Sequence, residues 1–188
     1  MPTPSGQAAF QLRIQLEDIK PVVWRRLLVP GSVRLSKLHD MFQVAMGWTN
    51  SHLHSFKVGD VSYGMNLEDD WDDELDEVDE KTVTVLQATR GHRRFRYVYD
   101  FGDNWRHDVV IEDEIHSPHG LKFAVCVEGQ NACPPEDCGG TGGFAELLEV
   151  LADPSNEEHE HYLGWVGGIF DPTAFDLVSV NAELQRVR

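Results

Sequence analysis

The chain has 188 residues, and its 32 Asp and Glu against 16 Lys and Arg give a formal charge of −16 at pH 7. This length and a hydrophobic share of 41% suffice for a folded core and exclude a chain that is disordered throughout. No apolar run approaches the roughly 18 residues of a membrane span, and no signal-peptide pattern opens the chain, so we expect a cytoplasmic protein without a membrane partner. Three cysteines in such a chain are expected to be thiols rather than a disulfide framework.

The first third of the chain predicts a hairpin followed by a helix. After a leader at residues 1–8, apolar and polar side chains alternate over residues 10–16, which is typical of a strand with one buried face. A second apolar stretch at residues 22–29 predicts the strand that pairs with it. From Ser36 onward the period changes to about 3.6 residues, so we expect a helix that begins near Ser36 and ends at Gly47.

The middle third predicts two more hairpins. Residues 52–58 and 61–63 flank a Gly-Asp turn, and residues 82–86 are a short β-branched stretch that favours another strand. Alternation returns over residues 95–101 and continues, after a Gly-Asp-Asn turn, over residues 105–111. This last pair is the clearest hairpin signal in the chain.

The last third changes character and predicts helices. A final strand is expected at residues 122–127, followed by an irregular stretch rich in Gly, Pro and Cys at residues 129–143. Amphipathic spacing predicts helices near residues 144–151 and 157–166. Asp171, which is followed by a proline, is expected to cap the last helix.

This order of elements predicts an α+β fold. We expect an antiparallel sheet of hairpins, with one helix after the first hairpin and a C-terminal group of helices packed on the sheet. Residues 1–8 are expected to be a flexible leader, and residues 9–188 a single domain with an acidic excursion at residues 66–81.

The negative charge is concentrated in one segment. Residues 68–80 hold 10 of the 32 acidic residues and no base. Trp71, Leu75 and Val78 recur there at helical spacing, which allows a short helix, although a solvated excursion is the simpler interpretation. A calcium loop of the EF-hand type is excluded because the segment lacks the glycine that such a loop requires.

One basic segment contrasts with this acidity. Residues 90–96 contain a histidine and four arginines, which are Arg90, Arg93, Arg94 and Arg96. The patch suits weak nucleic-acid binding or an acidic partner, and it equally suits ion pairs within the same chain. Because the whole chain is acidic, broad nucleic-acid binding is not expected.

Three histidines form a candidate metal set. His52 and His54 are two residues apart on an expected strand, so both side chains would project from one face, and His107 lies on the clearest hairpin. Together they predict a divalent metal site of the kind that a small metal-dependent enzyme, such as a hydrolase, uses. The alternative is that these rings fill the edge of the core.

Two turns concentrate polar residues that suit a ligand or a partner. An aspartate in the turn of the clearest hairpin can orient the imidazole that follows it. The second turn holds two acids between prolines and glycines, so its backbone is restricted on one side and closely approachable on the other. The candidate binding residues are Asp100, Asp103, Trp105, His107, Glu136 and Asp137.

A series of short motifs, in this order along the chain, resembles one protein family. The motifs are the strand at residues 10–16, Trp24-Arg25-Arg26, Leu38-His39 with Met46-Gly47-Trp48, His52 to Phe56, Tyr99 to Trp105 with His107, Cys133 to Asp137, and Phe170-Asp171-Pro172 with Phe175 and Asn181. Over about residues 9–185 they resemble the root-inducing-plasmid ORF-three-like family, also labelled insertion-sequence passenger proteins.

The resemblance implies a compact α+β domain of bacteria and archaea that is often encoded near mobile genetic elements, and it implies no activity. Some members carry the resolvase label TnpR, which this chain does not support because it shows neither a serine-recombinase region nor a helix-turn-helix module. The family's turn resembles Pro-Pro-Glu-Asp, one variable residue and Gly-Gly. This favours Glu136 and Asp137 over Cys133 and Cys138 as functional residues.

Taken together, the sequence predicts a plasmid- or mobile-element-associated protein that acts as a non-enzymatic binding or accessory module. Its partner would be an unknown protein or small ligand. The alternatives are the metal-dependent enzyme and weak nucleic-acid binding described above. No Walker, Rossmann, nucleophile-elbow or kinase pattern points to another activity.

Overall fold

The computed structural model describes residues 7–65, 77–117 and 119–187. Its strands are β1 Gln7–Leu16, β2 Trp24–Pro30, β3 His54–Val58, β4 Val61–Gly64, β5 Glu77–Asp79, β6 Arg94–Tyr99, β7 Trp105–Ser117 and β8 Val125–Gln130. Its helices are α1 Leu35–Met46, α2 Val85–Ala88, α3 Gly140–Ala152, α4 His159–Trp165 and α5 Leu177–Leu184. The α+β class that the sequence predicts is confirmed.

All of these strands belong to one sheet, in the order β5-β4-β3-β6-β7-β1-β2-β8. The three predicted hairpins are present as antiparallel pairs: β1 with β2, β3 with β4, and β6 with β7. The sheet is mixed rather than purely antiparallel, because β5 pairs in parallel with β4. The two-residue β3–β4 turn and the five-residue β6–β7 turn are too short for a parallel crossover, whereas the connection between β4 and β5 is longer.

One face of the sheet carries the core. Every second residue of β1 from Phe10 to Leu16 is buried, as the period-two pattern predicts. Helix α1 lies on this face with Leu38 and Phe42 buried, and the Phe42 ring meets Tyr97 edge-on at a centroid distance of 5.2 Å. Fully burying each of these large side chains stabilises the fold by about 1.5–3 kcal/mol.

The opposite face of the sheet carries ion pairs that engage half of the basic segment. Arg94 Nε lies 2.9 Å from Asp108 Oδ1, and Arg96 Nη2 lies 3.3 Å from Glu17 Oε1. Neither acid belongs to the acidic segment, so these two arginines find their partners on neighbouring strands or at their ends. Nucleic-acid binding through the basic segment stays a prediction, with two of its four guanidinium groups already paired.

The C-terminal helices cover the β8 end of the sheet. The Asn181 side chain in α5 accepts a hydrogen bond from the Cys126 N–H at 2.9 Å and donates one to the Cys126 carbonyl at 2.8 Å. These two hydrogen bonds replace those of a neighbouring strand at Cys126, so the backbone of this residue of β8 is satisfied. The final helix begins at Leu177 rather than after Asp171, because Asp176 supplies the side-chain cap.

Residues 82–86 do not form the expected strand. Thr84 makes a single bridge and then caps the short helix α2, in which its hydroxyl and the Gln87 side chain bond each other's backbone N–H groups. In the acidic segment, Val78 lies in β5 rather than in a helix. Trp71 and Leu75 lie outside the described residues.

No helix within the described ranges is long and apolar enough to cross a membrane. The expected leader falls largely outside those ranges, and so does most of the acidic excursion, at residues 66–76. That residues 9–188 form a single domain stays a prediction.

Candidate metal centre

Three loops meet at one corner of the sheet: the loop before β3, the turn between β6 and β7, and the turn after β8. The antiparallel pairing of β3 with β6 continues past the strand ends, where the Asp100 N–H donates to the Leu53 carbonyl at 2.8 Å. The carboxylate of Asp100 accepts a hydrogen bond from the Gly102 N–H at 2.9 Å. The strand register therefore places His52, the residue before Leu53, beside a carboxylate that is already held in place.

The Pro-Pro-Glu-Asp turn docks onto the same corner through its backbone and its glutamate. Trp48 Nε1–H donates to the Pro134 carbonyl at 2.9 Å. Glu136 Oε1 accepts hydrogen bonds from the Thr49 N–H at 2.8 Å and from the Tyr99 hydroxyl at 3.0 Å. These bonds orient the Glu136 carboxylate toward the end of the β3–β6 pair.

Four side chains converge where these loops meet, and we call His52, Asp100, Glu136 and Asp137 the His52 cluster. His52 Nε2 lies 3.1 Å from Asp137 Oδ1, 3.7 Å from Asp100 Oδ2 and 3.7 Å from Glu136 Oε2. Nε2 is buried and forms no hydrogen bond with any described residue. Ligand atoms of His52, Asp100 and Asp137 all lie within 4.8 Å of one another.

These spacings fit the coordination shell of a metal ion. Bonds of about 2.0–2.2 Å from a metal to nitrogen or oxygen place neighbouring ligand atoms about 3.0–3.5 Å apart in an octahedral or tetrahedral site. The three distances from His52 Nε2 match or slightly exceed that spacing. Three carboxylates against one imidazole also leave a local excess of negative charge, which a divalent cation would offset.

The Tyr99 hydroxyl holds the Glu136 carboxylate of the cluster in place. Its hydroxyl accepts from the Ser51 N–H at 3.0 Å and donates to Glu136. Burial, together with the adjacent Glu136 carboxylate, raises the pKa of Tyr99 to about 12. The phenol therefore stays protonated at neutral pH and keeps its role as a donor to Glu136.

His54 lies in a second polar environment. Its Nε2 is 2.8 Å from Glu80 Oε2, and its ring stacks on His39 with centroids 3.4 Å apart and planes 2° from parallel. His39 contacts the Tyr97 hydroxyl at 2.7 Å and Asn50 Oδ1 at 2.6 Å. Burial, and next the neighbouring His54, lower the pKa of His39 to about 4, so its ring is neutral at pH 7.

The stacked rings of His39 and His54 line a pocket of about 800 Å³. His52 lines the same pocket. The pocket and the His52 cluster are therefore neighbours that share one imidazole.

His107 and Trp105 lie in the core rather than in a groove. Both are fully buried, and His107 Nδ1 donates to the Tyr97 carbonyl at 3.3 Å. Burial lowers the pKa of His107 to about 3, so this ring is neutral. We therefore assign both residues to the packing of the sheet.

The structure does not bring the three predicted metal histidines together. His52 faces carboxylates, His54 faces Glu80, and His107 faces a backbone carbonyl. Within the described ranges, the group of three metal-ligating side chains contains only His52 of these histidines. Strand alternation failed here because His52 precedes β3 and is not held by its pleat.

The remaining sequence candidates have structural partners. Asp103 Oδ2 accepts from the Gly139 N–H at 3.2 Å and ties the hairpin turn to the start of α3. The cysteines are free, as expected. Burial raises the pKa of Cys133 and raises the pKa of Cys138 to about 12, so neither thiol is a ready metal ligand or nucleophile.

Sequence reasoning did not identify three residues that shape the site: His39, Glu80 and Tyr99. The heptad spacing of α1 puts His39 on the buried face, which was a signal for a buried imidazole. Alternation in β6 likewise put Tyr99 on the buried face, where its hydroxyl needs a partner. Glu80 carried no such signal, because it ends a run of acidic residues whose simpler interpretation is a solvated segment.

A close backbone contact requires glycine at position 143, after the Pro-Pro-Glu-Asp turn, but not at position 142. A Cβ on Gly143 would overlap the Cys138 carbonyl, whereas one on Gly142 would meet nothing within 4 Å. We expect Gly143→Ala to lower the free energy of unfolding by about 1–3 kcal/mol, and Gly142→Ala to raise it by up to about 1 kcal/mol through helix propensity. Urea denaturation measures both, and equal stabilities of the two variants would contradict the assignment.

Comparison with known proteins places this chain in a family. The model of the plasmid pRiA4b ORF-3-like protein family matches residues 8–179. The chain is 40% identical over 177 residues to the uncharacterized protein y4hQ of Sinorhizobium fredii, covering 93% of this chain and 89% of that protein.

A solved structure has the same fold as this chain. The crystal structure of the protein of unknown function MM3350 from Methanosarcina mazei Go1 matches with a TM-score of 0.81 and 32% identity, covering 92% of this chain and 97% of the other. Neither relative's name states an activity, so these likenesses establish descent and architecture. The chain belongs to the plasmid pRiA4b ORF-3-like protein family.

Proposed function

We propose that this protein is a binding module that holds a divalent cation in the His52 cluster. One observation carries the proposal: a buried imidazole nitrogen without a hydrogen bond faces three carboxylate oxygens at 3.1–3.7 Å. An imidazolium would be expected to form at least one well-directed hydrogen bond at such distances. A cation between the four groups would use the lone pair of Nε2 and balance the carboxylates.

The ligand chemistry favours a particular class of cation. One imidazole nitrogen suits Mn²⁺, Fe²⁺ or Zn²⁺ better than Ca²⁺ or Mg²⁺, and a majority of carboxylate oxygens favours Mn²⁺ over softer ions. The cation would tie the Pro-Pro-Glu-Asp turn to the end of β3 and β6. Its remaining coordination positions would be available to a small ligand or to a partner's carboxylate.

Manganese binding tests the proposal directly. Tag-free protein dialysed against chelator is titrated with Mn²⁺, and free Mn²⁺ is counted by electron paramagnetic resonance. We expect one ion per chain, with affinity reduced at least tenfold in Asp100→Asn and in His52→Gln, each of which removes one ligand. Tyr99→Phe should weaken binding about tenfold, because it frees the Glu136 carboxylate without removing a ligand.

Asp60→Asn is the matched control, because it makes the same charge change in the exposed turn between β3 and β4. Wild-type protein that binds no Mn²⁺, Fe²⁺ or Zn²⁺ would overturn the proposal. Equal loss in Asp60→Asn and Asp100→Asn would show a diffuse charge effect instead of a site.

We place this activity in the cytoplasm. The free state of Cys126, Cys133 and Cys138 supports that placement, because thiols persist where the environment is reducing.

A further inference from the structure

Helix α4 lies at the surface and leaves large apolar side chains uncovered. None of its seven residues is buried. Trp165, its last residue, is 47% exposed, and Ile169, just beyond the helix, is 86% exposed. A single exposed apolar residue is ordinary, whereas several that lie close together and border a pocket are typical of an interaction surface.

The backbone that presents these side chains is held at both ends. At its start, the His159 ring bonds through Nδ1 to the Val150 carbonyl of α3 at 3.0 Å. At its end, the Phe170 ring meets the buried Phe144 edge-on, with centroids 6.2 Å apart. Between these points the N–H of Gly168 donates back to a carbonyl of the helix at 2.7 Å, in the left-handed conformation that favours glycine. The exposed isoleucine that follows is therefore held in a defined position.

A small pocket beside Trp165 has room for one apolar side chain. Its volume is about 180 Å³, and an apolar cavity of about 150 Å³ already holds a benzene ring. Leu147, Tyr162 and Trp165 give the lining its apolar part, and Asp137 gives it a carboxylate. We call Trp165, Ile169 and this pocket the α4 surface.

The charge around the α4 surface has one sign. Residues 123–185 hold 12 of the 32 acidic residues and no lysine or arginine. Glu157, Glu158 and Glu160 are exposed in and directly before α4, and the side chain of Asp137 is 72% exposed. Among the described residues, the pocket lining includes no lysine or arginine. Such a rim attracts a partner of positive charge and repels a second copy of this acidic chain.

We infer that the α4 surface binds a basic segment of a partner protein. The segment places one apolar side chain in the pocket beside Trp165, and its lysines or arginines pair with the surrounding carboxylates. A tryptophan in the centre with charges at the rim is the common distribution of binding energy in a protein interface. The charges speed the encounter, and the buried apolar side chain slows dissociation.

Three labelled peptides separate the apolar contribution from the charge. The first is an amphipathic helix of lysine and leucine, the second has serine in place of leucine, and the third has glutamate in place of lysine. Binding to the full chain is followed by fluorescence anisotropy at about 0.15 M salt, where long-range attraction is largely screened. We expect the lysine–leucine peptide to bind at least tenfold more tightly than either of the others.

Serine variants locate the contact. Trp165→Ser and Ile169→Ser should each weaken binding of the lysine–leucine peptide at least fivefold. Val61→Ser is the matched control and should leave the affinity unchanged, because Val61 is an exposed β-branched residue at the end of β3 and β4 that is remote from the His52 cluster. Far-UV circular dichroism checks that all three variants are folded.

Each contrary outcome overturns the inference in a different way. Equal affinity for the lysine–leucine and lysine–serine peptides, or unaltered binding in Trp165→Ser, would show attraction to the diffuse charge of the chain. Equal affinity for the glutamate–leucine peptide would remove the basic partner. A dimer in sedimentation equilibrium that Trp165→Ser disrupts would assign the α4 surface to a second copy of this chain. All measurements are made with chelator present, so their outcome does not depend on the cation site.

Discussion

Replacing Arg25 with methionine is expected to lower the free energy of unfolding by about 3–5 kcal/mol, measured by urea denaturation at pH 7.5. Arg25 is buried, and its guanidinium donates to the carbonyls of Ala45 at 2.8 Å, Gln130 at 2.8 Å and Asn131 at 2.9 Å. Methionine is apolar and leaves these three acceptors without a donor, at about 1–3 kcal/mol for each that water does not reach.

The effect is large because Arg25 joins three separate parts of the fold. The Ala45 carbonyl lies in the last turn of α1, where carbonyl oxygens lack partners within the helix. Of the other two acceptors, Gln130 ends β8 and Asn131 follows it, just before the turn that carries Glu136 and Asp137. The guanidinium also stacks on Phe175 at 4.1 Å, in the segment that leads into α5. We therefore expect Arg25→Met to weaken Mn²⁺ binding as well.

Arg26→Met is the matched control for this prediction. Its side chain lies on the open face of the sheet, where it is partly exposed and pairs with Glu112 at 2.6 Å and with Glu128. Partly solvated ion pairs contribute about 1 kcal/mol or less. Equal destabilisation by the two substitutions would contradict the role assigned to Arg25.

Acidification from pH 7.5 to pH 5 is expected to remove about 4 kcal/mol of stability through two buried histidines. The pKa of His39 in the folded protein is about 4 and that of His107 is about 3, both lowered chiefly by burial. The unfolded chain takes up these protons near pH 6.5, before the folded protein does. Each group therefore contributes full stability above pH 6.5, and at pH 5 each has lost about 2 kcal/mol of it.

The measurement is the unfolding free energy from urea denaturation at several pH values between 7.5 and 5. His107→Gln lowers the stability at pH 7.5 but should shrink the loss between pH 7.5 and 5 by about 2 kcal/mol, because it deletes one of the two titrating groups. His92→Gln, at an exposed position, should leave the loss unchanged. A wild type that is equally stable at both pH values would contradict the prediction.

The fold was predictable where the signal was local. Alternation in residues 10–16 and the paired alternation around the Asp100–Trp105 turn specified hairpins, because one buried face imposes a period of two. The start of the last helix was not predictable in the same way. Both Asp171 and Asp176 are plausible caps, and each closes a local turn with its own side chain. Packing of α5 against β8 and α1 decides between them.

The candidate site also combines residues that local sequence signals identified with an arrangement that only tertiary packing creates. The sequence singled out Asp100, Glu136 and Asp137 as binding candidates and His52 as a metal ligand, but in separate sets. It also linked His52 with His54 and His107, which the structure sends to different surroundings. Side-chain direction along a strand follows from the pleat, whereas the approach of two loops follows from the register and order of whole strands.

The sequence by itself determined the α+β class, the three hairpins, the family and the acidic residues of the Pro-Pro-Glu-Asp turn. Only the tertiary structure decided that His52 meets those acids, because residues distant in sequence are joined by the β3–β6 pairing and by the docking of the turn on Trp48 and Thr49. Periodicity is a property of neighbouring residues, so it can be recognised in the linear sequence. A metal-binding geometry is a property of several chain segments and exists only after the sheet has set their distances.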